Sequence, residues 1–358
     1  MDDPPLVIVD ARMARRRSGG VATYVRELKS AVEAQAPTDL RVRWLFGPPG
    51  LPRRSRLTTA GNLVLDLIWT HLALPLLAWR SKAALIHATF NWAPWWSPCP
   101  TVVTLMDLSW ERRPQDYPPS FRRYARLFAR RSTRRARLVI TPSQATADDC
   151  VTLYGVPRAR TRSIPLGVSP PPPPPSGGRE PFILAVGELH PRKRIVQLVR
   201  GHALYMAAAP ADPPPCRLVV AGGPAGDETA VARAAGPGCE LRGFVSRQEL
   251  VDLYRHATLL AFPSAYEGYG LPVAEAMAHG CPVLVARNSS LVEVAGEHGL
   301  FIDDPTAQGI ARALTDALAD RAALAERGER SRRDALARFS WPQAARATLA
   351  AYREAVAA

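Results

Sequence analysis

Long hydrophobic runs are nearly absent from this 358-residue chain. The one stretch that invites a membrane reading, Leu63 to Trp79, contains Asp66, His71 and Pro75. It also falls short of the roughly 20 residues that span a bilayer, so a buried amphipathic helix is the expectation. Cysteine is scarce: the five present are scattered with no C-x-x-C pair, and an odd count argues against a disulfide framework or a structural zinc. No H-x-x-x-H, D-x-D or cluster of aspartates suggests a metal. The opening residues, MDDPPLVIVD, are acidic and run straight into a strand, which is not the pattern of a signal peptide. A reducing, cytoplasmic setting follows as the expectation.

Acidic residues are lacking in one half only. Residues 1–170 hold 26 Lys/Arg against 12 Asp/Glu, whereas residues 171–358 hold 20 of each, so the whole net charge of +14 belongs to the first half. Such asymmetry points to an anionic partner for that half: nucleic acid, an acidic membrane surface or a phosphorylated substrate. With 47% hydrophobic and 22% charged residues the chain is globular, and it is long enough for two cores.

Apolar runs alternate with helical patterns along the chain. Leu6 to Ala11 reads as a buried strand, followed by the basic loop Arg15-Arg16-Arg17-Ser18-Gly19-Gly20 and a helix from about Val21 to Ala34. Further strands are expected at Val42 to Phe46, Leu85 to His87, Thr101 to Leu105 and Leu138 to Thr141, which makes residues 1–168 an α/β doubly wound domain. Phe121 to Arg137 carries eight arginines on an expected helix, with Phe121, Tyr124, Ala125 and Phe128 on one stripe. A solvated basic face and contact with an anionic lipid surface both fit it. Residues 169–178 include six consecutive prolines and then Ser-Gly-Gly, a semi-rigid linker. Alternation resumes over 179–340, with strands at Phe182 to Val186, Arg217 to Ala221, Cys239 to Phe244, Thr258 to Phe262 and Pro282 to Ala286. Ser246 to Glu249 has the form of a capping box. A final helix occupies 341–358.

The stretch Phe262 to Pro282, FPSAYEGYGLPVAEAMAHGCP, joins a strand to a short helix through a glycine loop. Gly268 and Gly270 let backbone approach a ligand, the helix start offers its positive end to an anion, and Glu267 and Glu275 can accept hydrogen bonds from sugar hydroxyls. Arg192 and Lys193, in the loop after another strand, suit a diphosphate. Two doubly wound domains facing across a cleft, with Gly19, Gly20 and Asp107 on one wall, would accommodate a nucleotide diphosphate sugar.

On these residues the chain resembles glycosyltransferase family 4, of GT-B fold. The motif that carries the resemblance is E-x7-E, here Glu267-Gly268-Tyr269-Gly270-Leu271 through Glu275. Around it lie Gly187 with Pro191-Arg192-Lys193, Gly243-Phe244-Val245 with Tyr254, Ser289-Ser290-Leu291, Gly19-Gly20-Val21 and Ile164-Pro165-Leu166-Gly167-Val168. The resemblance implies retaining sugar transfer from a nucleotide donor without a bound metal or other cofactor. It implies that Glu267 contacts the transferred sugar, that the backbone of Gly268, Tyr269, Gly270 and Leu271 holds sugar and diphosphate, and that Glu275 binds ribose. Arg192 and Lys193 would stabilise the leaving diphosphate. Gly187, Gly19 and Gly20 would approach the donor, Phe244 would meet the base, and Asp107 would join the catalytic group. The helix 341–358 would cross back to the first domain.

Two positions depart from the family pattern: Met106 stands where His is usual before Asp107, and Glu188 stands where Arg is common after Gly187. Transfer of a hexose or deoxyhexose, with mannose and rhamnose the first candidates, to a glycan, lipid-linked or secondary-metabolite acceptor is the leading expectation. A non-catalytic nucleotide-sugar-binding protein is the alternative that Met106 favours. Nucleic-acid binding is a third class; against it, the basic residues are almost all arginine and no binding motif is present.

Overall fold

The computed structural model describes residues 3–15, 19–50, 56–172, 178–208 and 214–357. Most of the proline linker (173–177) and Arg16, Arg17 and Ser18 of the basic loop lie outside these described residues. The chain forms two compact units, residues 1–167 with 341–358 and residues 168–340.

The first unit is built on six parallel strands: β1 (Leu6–Asp10), β2 (Arg41–Leu45), β3 (Leu85–Ala88), β4 (Thr101–Thr104), β5 (Leu138–Thr141) and β6 (Thr161–Ser163). Their order is β2-β1-β3-β4-β5-β6. Every residue of β3, β4 and β5 is buried, as expected when helices cover both faces of a parallel sheet. The order reverses between β1 and β3, so the loops leaving these two strands flank the crevice where such sheets bind ligands. The C-terminal helix Trp341–Ala357 packs in this unit against the helix Gly20–Gln35. It is fixed by a buried chain of neutral hydrogen bonds: Tyr352 to His87 Nδ1 at 2.7 Å, His87 Nε2 to Thr104 at 2.8 Å, and Thr104 to Tyr24 at 2.9 Å.

One expectation fails here. The segment Leu63 to Trp79 is helical, running from Arg56 to Arg80 through a π-helical turn at Trp69–Ala73, but it is not buried. Leu74, Pro75 and Ala78 pack inward, while Leu63, Val64, Ile68, Leu72, Leu76, Leu77 and Trp79 are exposed. Apolar residues occupy more of the circumference than one packing face can cover. Among the described residues this is the one helical run whose length and composition would allow it to cross a membrane, with 22% of it buried.

The second unit is also a six-stranded doubly wound sheet, in a different strand order: β7 (Glu180–Val186), β8 (Arg217–Ala221), β9 (Cys239–Gly243), β10 (Ala257–Phe262), β11 (Val283–Ala286) and β12 (Leu300–Ile302) are ordered β12-β11-β10-β7-β8-β9, all parallel. β10 is buried along all six residues. Here the order reverses between β7 and β10. The loops after these strands, carrying Arg192-Lys193 and Glu267, therefore share one switch point. The edge strands β6 and β12, three residues each, have no counterpart in the sequence reading.

Candidate active site

The loop after β10 turns into the helix Leu271–Ala278, whose N-cap is Gly270 at φ 98°. A side chain there is disfavoured by that backbone conformation, and its Cβ would sit 2.9 Å from Leu291. Pro272 falls in the first helical turn, where a missing N–H costs nothing. The loop is held from behind by two serines. Ser289 Oγ accepts the Glu267 N–H at 3.0 Å, and Ser290 Oγ donates to the carbonyls of Glu267 and Tyr269 at 2.9 and 2.8 Å.

Glu267 is buried, and its Oε1 meets Lys193 Nζ at 2.7 Å and Arg192 Nη1 at 2.8 Å. Burial alone would raise this carboxyl, but the two cations outweigh it and hold it down at about 2. Both cations lie in the 3-10 turn Pro191–Lys193 that follows β7. Arg192 also binds the Tyr266 carbonyl, and its own carbonyl accepts the Ala265 N–H at 2.8 Å, so the two loops are tied together. Gly187 has φ 132°, a backbone conformation that side chains disfavour, and the Lys193 stem runs within contact distance of a Cβ placed there. The chain has only three lysines, Lys29, Lys82 and Lys193. A compact ammonium in this arginine-dominated sequence suits a close contact with one oxygen rather than a planar fork.

Glu275, on the helix, is buried as well. Its Oε1 accepts from Arg247 Nη1 at 2.6 Å and its Oε2 from the buried Tyr254 hydroxyl at 3.1 Å. Burial, and then Glu275 itself, push that phenol well above its ordinary value, so Tyr254 is a fixed donor. Arg247 opens the helix Arg247–His256, whose Ser246–Glu249 capping box is present in both halves. Phe244, just before it, is 68% exposed. Tyr269 turns its ring inward against Phe339, so only its backbone faces the loop.

Sequence reasoning counts Tyr254, Ser289 and Ser290 among the residues that carry the family resemblance but gives them no role in the site, and it overlooks Arg247 altogether. Arg247 reads as the second residue of a capping box. No local signal shows that these residues reach back to Glu275 and the Glu267 loop.

In the first unit, Gly19 (φ 107°) precedes the helix that starts at Gly20, and nothing lies within 4 Å of a Cβ at either position. Asp107 follows β4, where its Oδ1 accepts from the Ser109 N–H at 3.0 Å and the Ser109 hydroxyl at 2.8 Å, fixing the turn into the helix Ser109–Arg112. The Met106 N–H donates to Asn91 Oδ1 at 2.8 Å, which positions that backbone whatever the side chain. No group of three or more His, Cys, Asp and Glu that could hold a metal occurs among the described residues.

Two doubly wound parallel units, with a cation-bound carboxylate loop at the switch point of the second, are the build of a GT-B glycosyltransferase. Residues 18–170 match the family described as Glycosyltransferase Family 4, and residues 172–334 match Glycosyl transferases group 1. The chain belongs to this family of glycosyltransferases. It is 26% identical to O-antigen chain mannosyltransferase B of Escherichia coli over 272 residues, 70% of each protein. It is 32% identical to D-inositol 3-phosphate glycosyltransferase of Kineococcus radiotolerans over 61% of this chain, and spans a little over half (57%) of that relative. In fold it is similar to HepE of Anabaena, solved in complex with UDP and glucose, at a TM-score of 0.69 and 17% identity over 98% of this chain and 100% of that one.

Proposed function

We propose that this protein transfers a hexose or deoxyhexose, mannose in the first instance, from a nucleotide diphosphate sugar to a glycan, lipid-linked or secondary-metabolite hydroxyl with retention at the anomeric carbon. The observation that carries the reading is the convergence of Arg192 and Lys193 on the buried Glu267 at a sheet switch point. The mannosyltransferase relative supports the sugar, and the UDP-bound structural neighbour supports the donor class.

In this reading the diphosphate takes the place of the carboxylate as partner of the two cations. Charge developing on the leaving oxygens is then met by an ammonium and a guanidinium already fixed in a dry site. The anomeric bond to the diphosphate breaks, the acceptor oxygen bonds to the same carbon, and the acceptor proton leaves with the diphosphate. Glu267, released from its cations, accepts from the sugar hydroxyls. Glu275 accepts from ribose, with Tyr254 holding the carboxylate in place, and Phe244 stacks on the base. Arg192 and Lys193 fill the role that a divalent cation plays elsewhere, so activity persists in excess chelator. On the acceptor side, the arginines of Phe121–Arg137 offer a counter-charge to an anionic lipid surface.

The test is substitution. Glu267→Ala and Lys193→Ala are each expected to lower transfer by about 10² or more while the protein stays folded. Full activity in both would overturn the assignment.

A further inference from the structure

We propose that the first unit inserts in the plane of an anionic lipid bilayer through the outward apolar face of residues 61–80 together with Trp95 and Trp96, the arginine helix lying beside that face as its electrostatic flank. This goes beyond an arginine-only contact, and it does not depend on which sugar is transferred.

The apolar side is too large to be incidental. Leu72 is 65% exposed, Trp79 62% and Trp96 60%, and Leu63, Val64, Ile68, Leu76, Leu77, Trp95 and Leu127 are exposed as well. Monomeric globular proteins rarely leave a contiguous patch of this kind in water. Tryptophan is the side chain best suited to the boundary between headgroups and acyl chains.

The patch and the positive charge form one surface. His71, in the π turn, packs on Trp95 and Phe128 with ring centroids at 5.3 and 5.5 Å, and Trp95 stacks on Phe128 at 4.9 Å. Phe128 belongs to the arginine helix Pro119–Arg135. From that helix Arg131 lies over the Trp95 ring at 5.0 Å, and Arg135 donates to the Trp95 carbonyl at 3.0 Å. Arg123 and Arg130 on the same helix are exposed. An apolar strip bordered by arginines, in a half-chain with a cationic excess of 14, is complementary to an acidic headgroup layer over hydrocarbon.

The same contacts exclude a spanning role. Trp69 Nε1 donates to the buried Asp10 at 3.0 Å, and Arg12 reaches Thr70 and the Asp66 carbonyl. Leu74, Pro75 and Ala78 are packed in the unit. Drawing the run across a bilayer would strip Asp10 and Arg12 of these partners, whereas lying in the interface costs none of them.

Flotation of the full chain with vesicles tests the idea. Recovery with mixed phosphatidylglycerol–phosphatidylcholine vesicles, and little with phosphatidylcholine alone, is expected. Leu72→Glu with Trp96→Glu should lower the bound fraction at least about tenfold at low and high salt, because apolar insertion is unscreened. Arg123→Glu with Arg130→Glu should lower it about tenfold at low salt only. Leu76→Ser with Trp79→Ser provides a second apolar pair, and melting curves confirm that each variant folds. Failure of the wild type to float with anionic vesicles overturns the proposal, as does undiminished flotation of both apolar pairs. Retention in the bilayer after alkaline carbonate extraction, or conversion of a dimer to a monomer by the apolar pairs with flotation unchanged, also overturns it. The first result would make the segment integral, and the second would make the face a contact between two copies.

Discussion

The two units are both doubly wound six-stranded parallel sheets, though their strand orders differ, and they differ too in where they keep their charge. In the second unit, carboxylates are buried and answered: Glu267 by Arg192 and Lys193, Glu275 by Arg247 and Tyr254. In the first, the polar chain Tyr352–His87–Thr104–Tyr24 is neutral, the buried carboxylate Asp10 is paired with Arg12 behind the helix 56–80, and the arginines of Pro119–Arg135 border exposed apolar residues. Burying charge is expensive unless it is paired, and a paired site gives its cations up only to a better anion. In the readings proposed above, the second unit exchanges one anion for another at its paired site and the first presents a face to a lipid surface.

The largest effect that could break this contrast lies at the cations. Lys193→Ala should lower kcat by about 10²–10³, the usual loss for a preorganised charge at a developing oxyanion. Steady-state rates with a mannosyl donor measure it, and an unchanged rate would move the chemistry out of the second unit. Glu275→Ala should act mainly on donor binding, raising the KM for the nucleotide sugar about tenfold with a smaller change in kcat, since a ribose contact is made in ground and transition states alike.

The neutral chain of the first unit has its own signature. Burial lowers the His87 imidazole from 6.5 to about 3, so it stays uncharged in the fold while the unfolded chain takes up a proton below pH 6.5. The stability lost by this group therefore grows as pH falls from 6.5 towards 3, reaching about 2 kcal/mol by pH 5. His87→Asn should flatten that slope in denaturant titrations across the window. Glu267 differs in where it titrates. Its pKa is depressed from 4.5 to about 2, so its contribution is complete above pH 4.5 and is lost only between there and about 2. Tyr352→Phe, which leaves one His87 nitrogen unsatisfied, should cost about 1–3 kcal/mol. The smallest effect is expected at Met106→His: its backbone is already fixed by Asn91, so the change adds a polar side chain without moving the loop. A gain of transfer from nothing would instead identify the wild type as a binding protein.

Much of this was legible in the sequence because it is local. A strand, a glycine loop, Pro272 and Glu275 fall within some twenty residues, and so the Glu267 loop and its helix could be read directly. Two doubly wound units followed from alternation alone. What escaped depends on contacts distant in sequence. Arg247 lies 28 residues from the Glu275 it binds. β6 and β12 are three-residue edges held by pairing with a neighbour rather than by an apolar run. Periodicity in 63–79 shows a helix with an apolar surface, but whether anything covers that surface is decided by the rest of the fold, and here much of it stays open.

The central claim is that Arg192, Lys193 and Glu267 form the donor site, and the most direct measurement is the melting temperature in the presence of UDP-, GDP- and dTDP-sugars. A ligand bound only to the native state raises Tm with concentration. The wild type should show a saturable rise with one donor class, and Lys193→Ala should show little or none with the same donor. An equal rise in both proteins would contradict the account.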